Sequence, residues 1–289
     1  MRKILATSLV LLTVGGFVMG CQGVGNSTSY NHESSYEASR IEEIEINNES
    51  WDIEFRRSDS PNITIACDGK RQDNKSDPVT IDQEGKKIVV TQKDQGGAMA
   101  GFTFGKKGTI YISVPEHEVD TITLNNDAGD IKMKDVSAQN IVFSNHSGSE
   151  TIEGLSADTG VFTSKDGELK LKNSSLNELT VTSGSGGSYL NGVTSPEMNI
   201  TSTAGEVTVK EIDEGKRLCV ETESGDITVS YITPPTSLNL AASSNSSDIS
   251  IGLNGFKESQ RTENAVEGTI GDASHTLELI SRSGIIVVK

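Results

Sequence analysis

Apolar residues recur at fixed positions through the second half of this 289-residue chain. The pattern is centred on a small marker residue, usually glycine, that first returns at intervals of 19 or 20 residues. Apolar side chains stand seven and five residues before each marker, and two and four residues after it. Over eight markers, 29 of these 32 positions are apolar, and the exceptions are Glu150, Gly160 and Ser188. The markers are Gly129, Gly148, Gly167, Gly186, Gly205, Gly225, Ser247 and Gly284.

Spacing by two on each side of a marker is the period of a β-strand, so each repeat holds two short strands separated by a turn. One repeat cannot be stable alone. Burying four side chains contributes about 6–12 kcal/mol, whereas ordering 19 backbone units costs about 20–40 kcal/mol. The copies must therefore stack on one another. The sequence predicts an all-β, single-domain β-solenoid, similar to a parallel β-helix, with coils of about 19 residues.

The same pattern extends toward the N-terminus, where Trp51 occupies a marker position. Ile44 and Ile46 precede it, and Ile53 and Phe55 follow it, at the diagnostic spacings. Alternation that is typical of strands also covers 62–67, 79–90 and 109–114. The sequence thus predicts one domain over 41–289, with irregular opening coils and a cap over 41–118 and regular repeats over 119–289.

The last regular coil is interrupted by an insertion at about 252–275. The given sequence then ends with an apolar strand over 285–288, which is predicted to be an unpaired edge. Exposed strand edges invite pairing, so we expect end-to-end self-association unless the insertion covers this edge.

Residues 1–20 have the properties of a bacterial export signal. Arg2 and Lys3 precede an apolar run over 4–19, which is shorter than the roughly 20 residues of a spanning helix. The run leads into Val18-Met19-Gly20-Cys21, which resembles a lipobox. That resemblance implies a lipoprotein whose Cys21 carries acyl chains such as palmitate. The lipid would hold the protein at the extracytoplasmic face of the cell membrane.

Residues 21–40 are rich in Ser, Asn, Gly and Glu, and are predicted to form a flexible tether. The formal net charge of −16 disfavours nucleic acid and opposes flat binding to an anionic membrane. One Trp and an aromatic content of 4% argue against a long aromatic platform for sugars. By strand parity Cys67 points inward and Cys219 outward, so no disulfide is expected between them.

The chain resembles the bacterial "putative adhesin" domains, which are β-strand-repeat domains of unknown function in surface lipoproteins and membrane-anchored proteins. The resemblance implies a β-helix-like fold and an envelope location, and it brings no catalytic residues. It is carried by the lipobox, the segment from Ile44 to Phe55, the strand end Val114-Pro115, and the turns Ala128-Gly129-Asp130-Ile131, Ala204-Gly205-Glu206-Val207 and Ser224-Gly225-Asp226-Ile227.

Two ladders follow from stacking. The position three before the marker always holds a small hydrogen-bonding residue, and we interpret it as an inward ladder that satisfies backbone groups at a corner. The position after the marker is often acidic. These acids either form a calcium-dependent edge or accept turn hydrogen bonds while facing water. The acidic ladder consists of Asp130, Glu168, Glu206, Asp226 and Asp248.

The segment 96–107 combines glycines with two phenylalanines and lacks the spacing of a phosphate-binding loop. It either contacts a partner or the membrane surface, or folds over the open end of the core. The residues predicted to make such a contact are Phe102, Phe104, Lys106 and Lys107.

The sequence favours a non-enzymatic surface module without cofactor or metal. It would present a Ser/Thr/Asn-rich surface to an envelope protein or polymer, for adhesion or for envelope sensing. One alternative is a glycan-processing enzyme similar to a polysaccharide lyase, for which Lys132 and Lys170 lie near acids but two coils apart. Another alternative is a purely structural envelope component. Fold alone does not separate these classes.

Overall fold

A computed structural model describes residues 27–72, 75–95, 108–116, 119–246 and 248–289. These residues form β-strands and one short 3-10 turn, Ala38–Arg40. No helix in the described ranges is long and apolar enough to cross a membrane. The strands are β1 (Ser27–Glu37), β2 (Glu43–Asn48), β3 (Asp52–Ser58), β4 (Asn62–Gln72), β5 (Val79–Glu84), β6 (Lys87–Gln92), β7 (Gly108–Pro115), β8 (Thr121–Asn126), β9 (Ile131–Lys134), β10 (Ser137–Asn145), β11 (Glu150–Glu153), β12 (Ser156–Ser164), β13 (Leu169–Lys172), β14 (Ser175–Ser183), β15 (Ser188–Asn191), β16 (Glu197–Ser202), β17 (Val207–Ile212), β18 (Arg217–Thr222), β19 (Ile227–Tyr231), β20 (Leu238–Ser244), β21 (Ile249–Ile251), β22 (Lys257–Arg261), β23 (Ala265–Ile270), β24 (His275–Ser281) and β25 (Ile286–Val288).

Two long sheets face each other across one core. We call these sheets A and B. Each coil contributes one strand to sheet B and the next strand to sheet A, and strands of successive coils pair in parallel. Ten such coils at about 4.8 Å each give a rod about 48 Å long. The strand order is β1-β4-β7-β3-β9-β11-β13-β15-β17-β19-β25-β21 in sheet A and β22-β23-β20-β24-β18-β16-β14-β12-β10-β8-β2-β6-β5 in sheet B. The predicted β-solenoid is confirmed.

The core is the stacked set of predicted apolar positions. Phe143 pairs in register with Phe162 across β10 and β12, and both rings are buried. Phe55, on the facing sheet, stacks on Phe143 at 5.8 Å between ring centroids, so the aromatic contacts cross the core. Trp51 is also buried, and its ring lies against Gly108 of the neighbouring coil. Burial of these side chains within a parallel stack is the main stabilising contribution to the rod.

Steric contact between coils explains the marker glycines. A Cβ atom built on Gly186 would lie well inside van der Waals contact with the carbonyl oxygen of Gly167, one coil earlier. Gly205 meets the carbonyl of Gly186 in the same way. Only a residue without a side chain fits between these stacked backbones, so the marker reports close approach of neighbouring coils.

The order of the coils departs from the chain order at both ends. Strands β2 and β3 pair with β8 and β9 on one side, and with β6 and β7 on the other. At the C-terminus, β24 and β25 lie between the coil of β18 and β19 and the coil of β20 and β21. The coil nearest each chain end is thus placed one step inside the stack.

This order corrects the prediction for the last strand. β25 is not an unpaired edge, because it pairs with β19 on one side and with β21 on the other. The reason given for end-to-end association through residues 285–288 is therefore wrong. The predicted insertion is real, and it contains β22 and β23, which pair antiparallel beside β20.

The N-terminal end is closed by antiparallel strands. β4 pairs with β7, β1 pairs with β4, and β5 pairs with β6. Tyr30 on β1 is buried, and its ring lies edge-on to Trp51 at 6.1 Å between centroids. The prediction of a flexible tether over 21–40 is thus wrong for 27–40, because pairing with β4 and burial of Tyr30 order this segment.

Candidate functional site

A groove of about 660 Å³ crosses the ends of the sheet B strands in six neighbouring coils. Its floor is the row of outward residues four positions before each marker. Register pairing aligns these residues along the axis of the rod. We call this surface the sheet B groove, and its floor residues are, in spatial order, Thr91, Asn47, Asn125, Ser144, Thr163 and Thr182.

Three neighbouring hydroxyls on this floor are available to a ligand. Within the described ranges, Ser144, Thr163 and Thr182 make no side-chain hydrogen bond, and all three are exposed. Asn125 differs, because its Nδ2 donates to Oδ1 of Asn47 at 2.9 Å. Coils are about 4.8 Å apart, so the groove presents hydroxyls that donate and accept at a regular interval.

The groove is held in shape by the buried ladder directly beside its floor. Asn48 Nδ2 donates to Asn126 Oδ1 at 2.5 Å, and Asn126 Nδ2 donates to Asn145 Oδ1 at 2.7 Å. In later coils a hydroxyl donates to the carbonyl of its own marker, as Ser164 does to Gly167 at 2.9 Å. The prediction of an inward ladder that satisfies corner backbone groups is confirmed.

One lip of the groove carries a column of polar and charged side chains. Asp127 Oδ1 lies 3.6 Å from Nδ1 of His146, and Lys165 Nζ lies 3.3 Å from Nε2 of the same ring. The ring of His146 thus lies between a carboxylate and an ammonium group. The acids Glu49 and Asp127 and the base Lys165 thus line the groove beside its neutral floor.

The opposite corner of the rod provides a contrast. A depression of about 500 Å³ there is lined mostly by charged and small residues. Its Arg57 and Glu116 form an ion pair at 3.2 Å between Nη1 and Oε2. On the outer face of sheet A, Lys132 pairs with Glu54 and Lys170 with Glu168. The two lysines considered for an enzyme are thus engaged in ion pairs.

The acidic ladder has an order that the sequence did not indicate. Asp226 Oδ1 accepts the amide of Ile285 at 2.8 Å, so β25 separates Asp226 from Asp248, and these acids are not neighbours. Asp130 Oδ1 accepts the amide of Ser149 at 3.0 Å. These two carboxylates therefore accept turn hydrogen bonds from the next coil. No cluster of three or more metal-binding side chains occurs within the described ranges.

Two predicted sites lie outside the described residues. These are Cys21 and the contact segment with Phe102, Phe104, Lys106 and Lys107. The ends of that segment, Gln95 and Gly108, belong to the coil of β6 and β7, near the N-terminal end of the rod. Both predictions therefore remain predictions. Cys67 is buried, which raises the pKa of its thiol to about 12, and Cys219 is part-buried; neither forms a disulfide.

The sequence flagged Glu150 only as an exception to the apolar pattern. Its side chain is fully buried, and both carboxyl oxygens lack a hydrogen-bond partner. Burial raises the pKa of Glu150 to about 7, and the nearby Asn145 amide opposes this rise only in part. Glu150 therefore takes up a proton near neutral pH, which makes it a pH-sensitive element of the core.

The profile of the Toastrack DUF4097 family matches residues 41–289. The chain belongs to this family. No curated protein matches the sequence.

Solved bacterial structures share the fold at low sequence identity. A putative adhesin from Bacteroides fragilis is 12% identical, with a TM-score of 0.56, over 92% of this chain and 99% of that one. A putative adhesin from Parabacteroides distasonis is 14% identical, with a TM-score of 0.49, over 92% and 98% of the two chains. The first of these supports the fold, and neither carries an activity over to this chain.

Proposed function

We propose that this protein is a non-enzymatic surface module that binds an envelope protein or polymer through the sheet B groove. The observation that carries the proposal is the row of unpartnered hydroxyls on the groove floor. A catalytic site would require an acid or base aimed at a substrate. The floor of the groove offers only neutral donors and acceptors, and the acid and base on its lip, Asp127 and His146, face each other, which suits binding.

Membrane anchoring through Cys21 is the second part of the proposal. Six Cα–Cα steps separate Cys21 from Ser27, where β1 begins, and six steps span at most about 22 Å. A lipid on Cys21 would therefore keep the N-terminal end of the rod close to the extracytoplasmic membrane face. Gln95 and Gly108, which flank the segment with Phe102 and Lys106, lie near the same end, and the proposal gives that segment a contact with the membrane surface or a membrane partner.

Site-specific crosslinking on intact cells tests the binding surface. A photoreactive amino acid replaces Thr163 on the groove floor, and a matched variant carries it at Thr151, which faces outward from sheet A. We expect a reproducible crosslinked product from position 163 and none from position 151. Equal labelling from both positions, or none from either, would contradict binding through the groove.

Metabolic labelling tests the anchor. Cells that express the wild-type chain should incorporate a palmitate analogue into the protein and retain it in the membrane fraction. Cys21→Ala should lose both the label and the membrane retention, because no thiol remains to be acylated. Label that survives this substitution would overturn the proposed anchor.

A further inference from the structure

We infer that Asn254 is a site of spontaneous chemical modification, at which the side-chain amide is lost and the C-terminal closure of the rod is altered. The inference is independent of the proposed function, because it concerns the turn between β21 and β22. The chain contains the same sequence step twice, and the fold places the two copies in different surroundings.

The sequence Leu-Asn-Gly occurs at 190–192 and at 253–255, and these are the only two Asn-Gly steps in the chain. A glycine after asparagine exposes its backbone nitrogen to the asparagine side chain, because it has no Cβ atom to obstruct the approach. Both glycines have a positive φ, +63° at Gly192 and +79° at Gly255. The surroundings of each step therefore decide which of the two reacts.

The step at Asn191 is held in the ladder between coils. Asn191 ends β15 and pairs in register with Lys172 and Lys210. The amide of Gly192 donates to the carbonyl of Lys210 at 3.0 Å, and a Cβ atom at Gly192 would lie 2.8 Å from Oδ1 of Asn173. The nitrogen that would attack the Asn191 side chain is thus engaged in a crowded corner, and it becomes available only when the coils separate locally.

The step at Asn254 is open. Asn254 and Gly255 are both exposed, and a Cβ atom at Gly255 would meet no atom within 4 Å. The turn is closed by the amide of Phe256, which donates to the carbonyl of Leu253 at 3.4 Å. Within the described residues, neither the side chain of Asn254 nor the amide of Gly255 makes a hydrogen bond. Nothing in this part of the structure therefore holds the attacking nitrogen in place.

Loss of the amide requires water as the only co-reactant. The backbone nitrogen of Gly255 gives its proton to water and bonds to Cγ of Asn254, the Cγ–Nδ2 bond breaks, and the leaving nitrogen takes a proton from water to depart as ammonia. A water molecule then opens the resulting succinimide. Attack at Cγ gives aspartate, and attack at the main-chain carbonyl carbon gives isoaspartate, in which the main chain runs through Cβ and Cγ. Both products add one negative charge.

The modification falls on the turn that ends sheet A. Leu253 and Phe256 flank this turn and pack, partly buried, against the core, and β21 before it has only three residues. Isoaspartate lengthens the main chain by one atom between these two packed side chains. Because β21 and β22 are edge strands, we expect their amide protection to fall as the modification accumulates.

Ageing of the full-length protein in detergent, at mildly alkaline pH, tests the inference. Peptide mapping by mass spectrometry measures replacement of the amide –NH2 by –OH at both steps, and a protein isoaspartyl methyltransferase detects isoaspartate. In the folded protein we expect Asn254 to react at least about tenfold faster than Asn191, which must wait for local opening. In denaturant the two rates should become similar, because both steps share the sequence Leu-Asn-Gly.

Asn254→Gln is the matched variant, because glutamine would have to form a larger ring and therefore reacts more slowly. After ageing, hydrogen exchange should show loss of amide protection in β21 and β22 of the wild type and none in Asn254→Gln. Asn191→Gln is the control and should age as the wild type does. Equal protection in freshly prepared proteins would show that both variants fold.

Two results at the chemical step would overturn the inference. One is an equal rate at Asn254 and Asn191 in the folded protein, and the other is an Asn254 that reacts in denaturant but not in the folded protein. Unchanged amide protection in aged wild type, despite modification at 254, would overturn the inferred effect on the C-terminal closure.

Discussion

The two ends of the rod share one order of coils but are closed differently. At each end, one coil lies one step inside the stack, so β2 and β24 have paired strands on both sides. The N-terminal end then adds β1, β4 and β5 as antiparallel closing strands. The C-terminal end adds only the β22–β23 pair to sheet B, and sheet A stops at the three-residue β21.

This difference shows two ways of protecting an exposed sheet edge. At the N-terminal end a long edge strand, β1, is mostly polar and buries Tyr30. At the C-terminal end one edge is very short, and the other, β22, is fully exposed and carries Lys257, Glu258 and Arg261. Short or charged edges resist further pairing. The groove lies nearer the N-terminal end, where closure is more extensive.

Removal of an end coil should have the largest effect. Deletion of residues 275–289 removes a coil from inside the stack, so we expect β20 to β23 to lose their support and open together. Hydrogen exchange should then show loss of amide protection from residue 238 onward. Deletion of 27–37, an edge strand at the other end, is the control and should leave the coils from β8 onward protected. Amide protection that persists in β20 to β23 after the deletion of 275–289 would contradict the swapped order.

A marker substitution in the middle should have the next largest effect. Gly186→Ala places a Cβ against the carbonyl of Gly167, and we expect a loss of about 3 kcal/mol in the free energy of unfolding. Gly187→Ala is the matched control, because its Cβ meets only the ring of Tyr189, which can rotate away. Chemical denaturation measures both. Equal losses of unfolding free energy in the two variants would show that close stacking of the coils is not the reason for glycine at the marker.

Glu150 should make the middle of the rod sensitive to pH. Its folded pKa of about 7 lies above the ordinary value of 4.5, so the folded state binds the extra proton. The associated stability is present below pH 4.5 and is lost as the pH rises to 7, by about 3 kcal/mol in all. Above pH 7 this contribution changes no further.

Denaturation of Glu150→Gln across this range measures the effect. The stability of the variant relative to wild type should rise by about 3 kcal/mol between pH 4.5 and 7.5. Glu153→Gln, on the same strand but exposed, is the control. Its free energy of unfolding should vary with pH as that of the wild type does. If the free energy of unfolding of Glu150→Gln varied with pH as that of the wild type does, the buried carboxyl would not titrate in this pH range.

Regular spacing made the interior of the rod predictable, whereas the arrangement of strands at its two ends was not predicted. The marker spacing located Phe143, Phe162 and Trp51 in the core because local alternation decides which face each residue takes. The order of coils was missed because the spacing from Gly225 to Gly284 does not say which coils are neighbours. β1 was missed because Tyr30 is one of few apolar residues in a polar segment, and its partner strand is distant in sequence.

The groove was partly visible from sequence. The sequence predicted a Ser/Thr/Asn-rich surface without its location, and the inward ladder beside the groove floor was interpreted correctly. The end of the groove depends on β6 lying beside β2, which brings Thr91 and Gln92 next to Asn47 and Asn48. That contact joins residues about 44 positions apart, and no local pattern indicates it.

The most direct test of the account is a disulfide that depends on the order of coils. Cys219 on β18 is in register with Glu278 on β24, and its Sγ lies 3.9 Å from the carboxylate. Glu278→Cys should therefore form a disulfide with Cys219 under mild oxidation. Ala241→Cys, on β20, lies one further coil away, and the bond should not form. Disulfide formation by Ala241→Cys and not by Glu278→Cys would show that the coils follow sequence order, and would contradict the structure on which the groove and the ends have been interpreted.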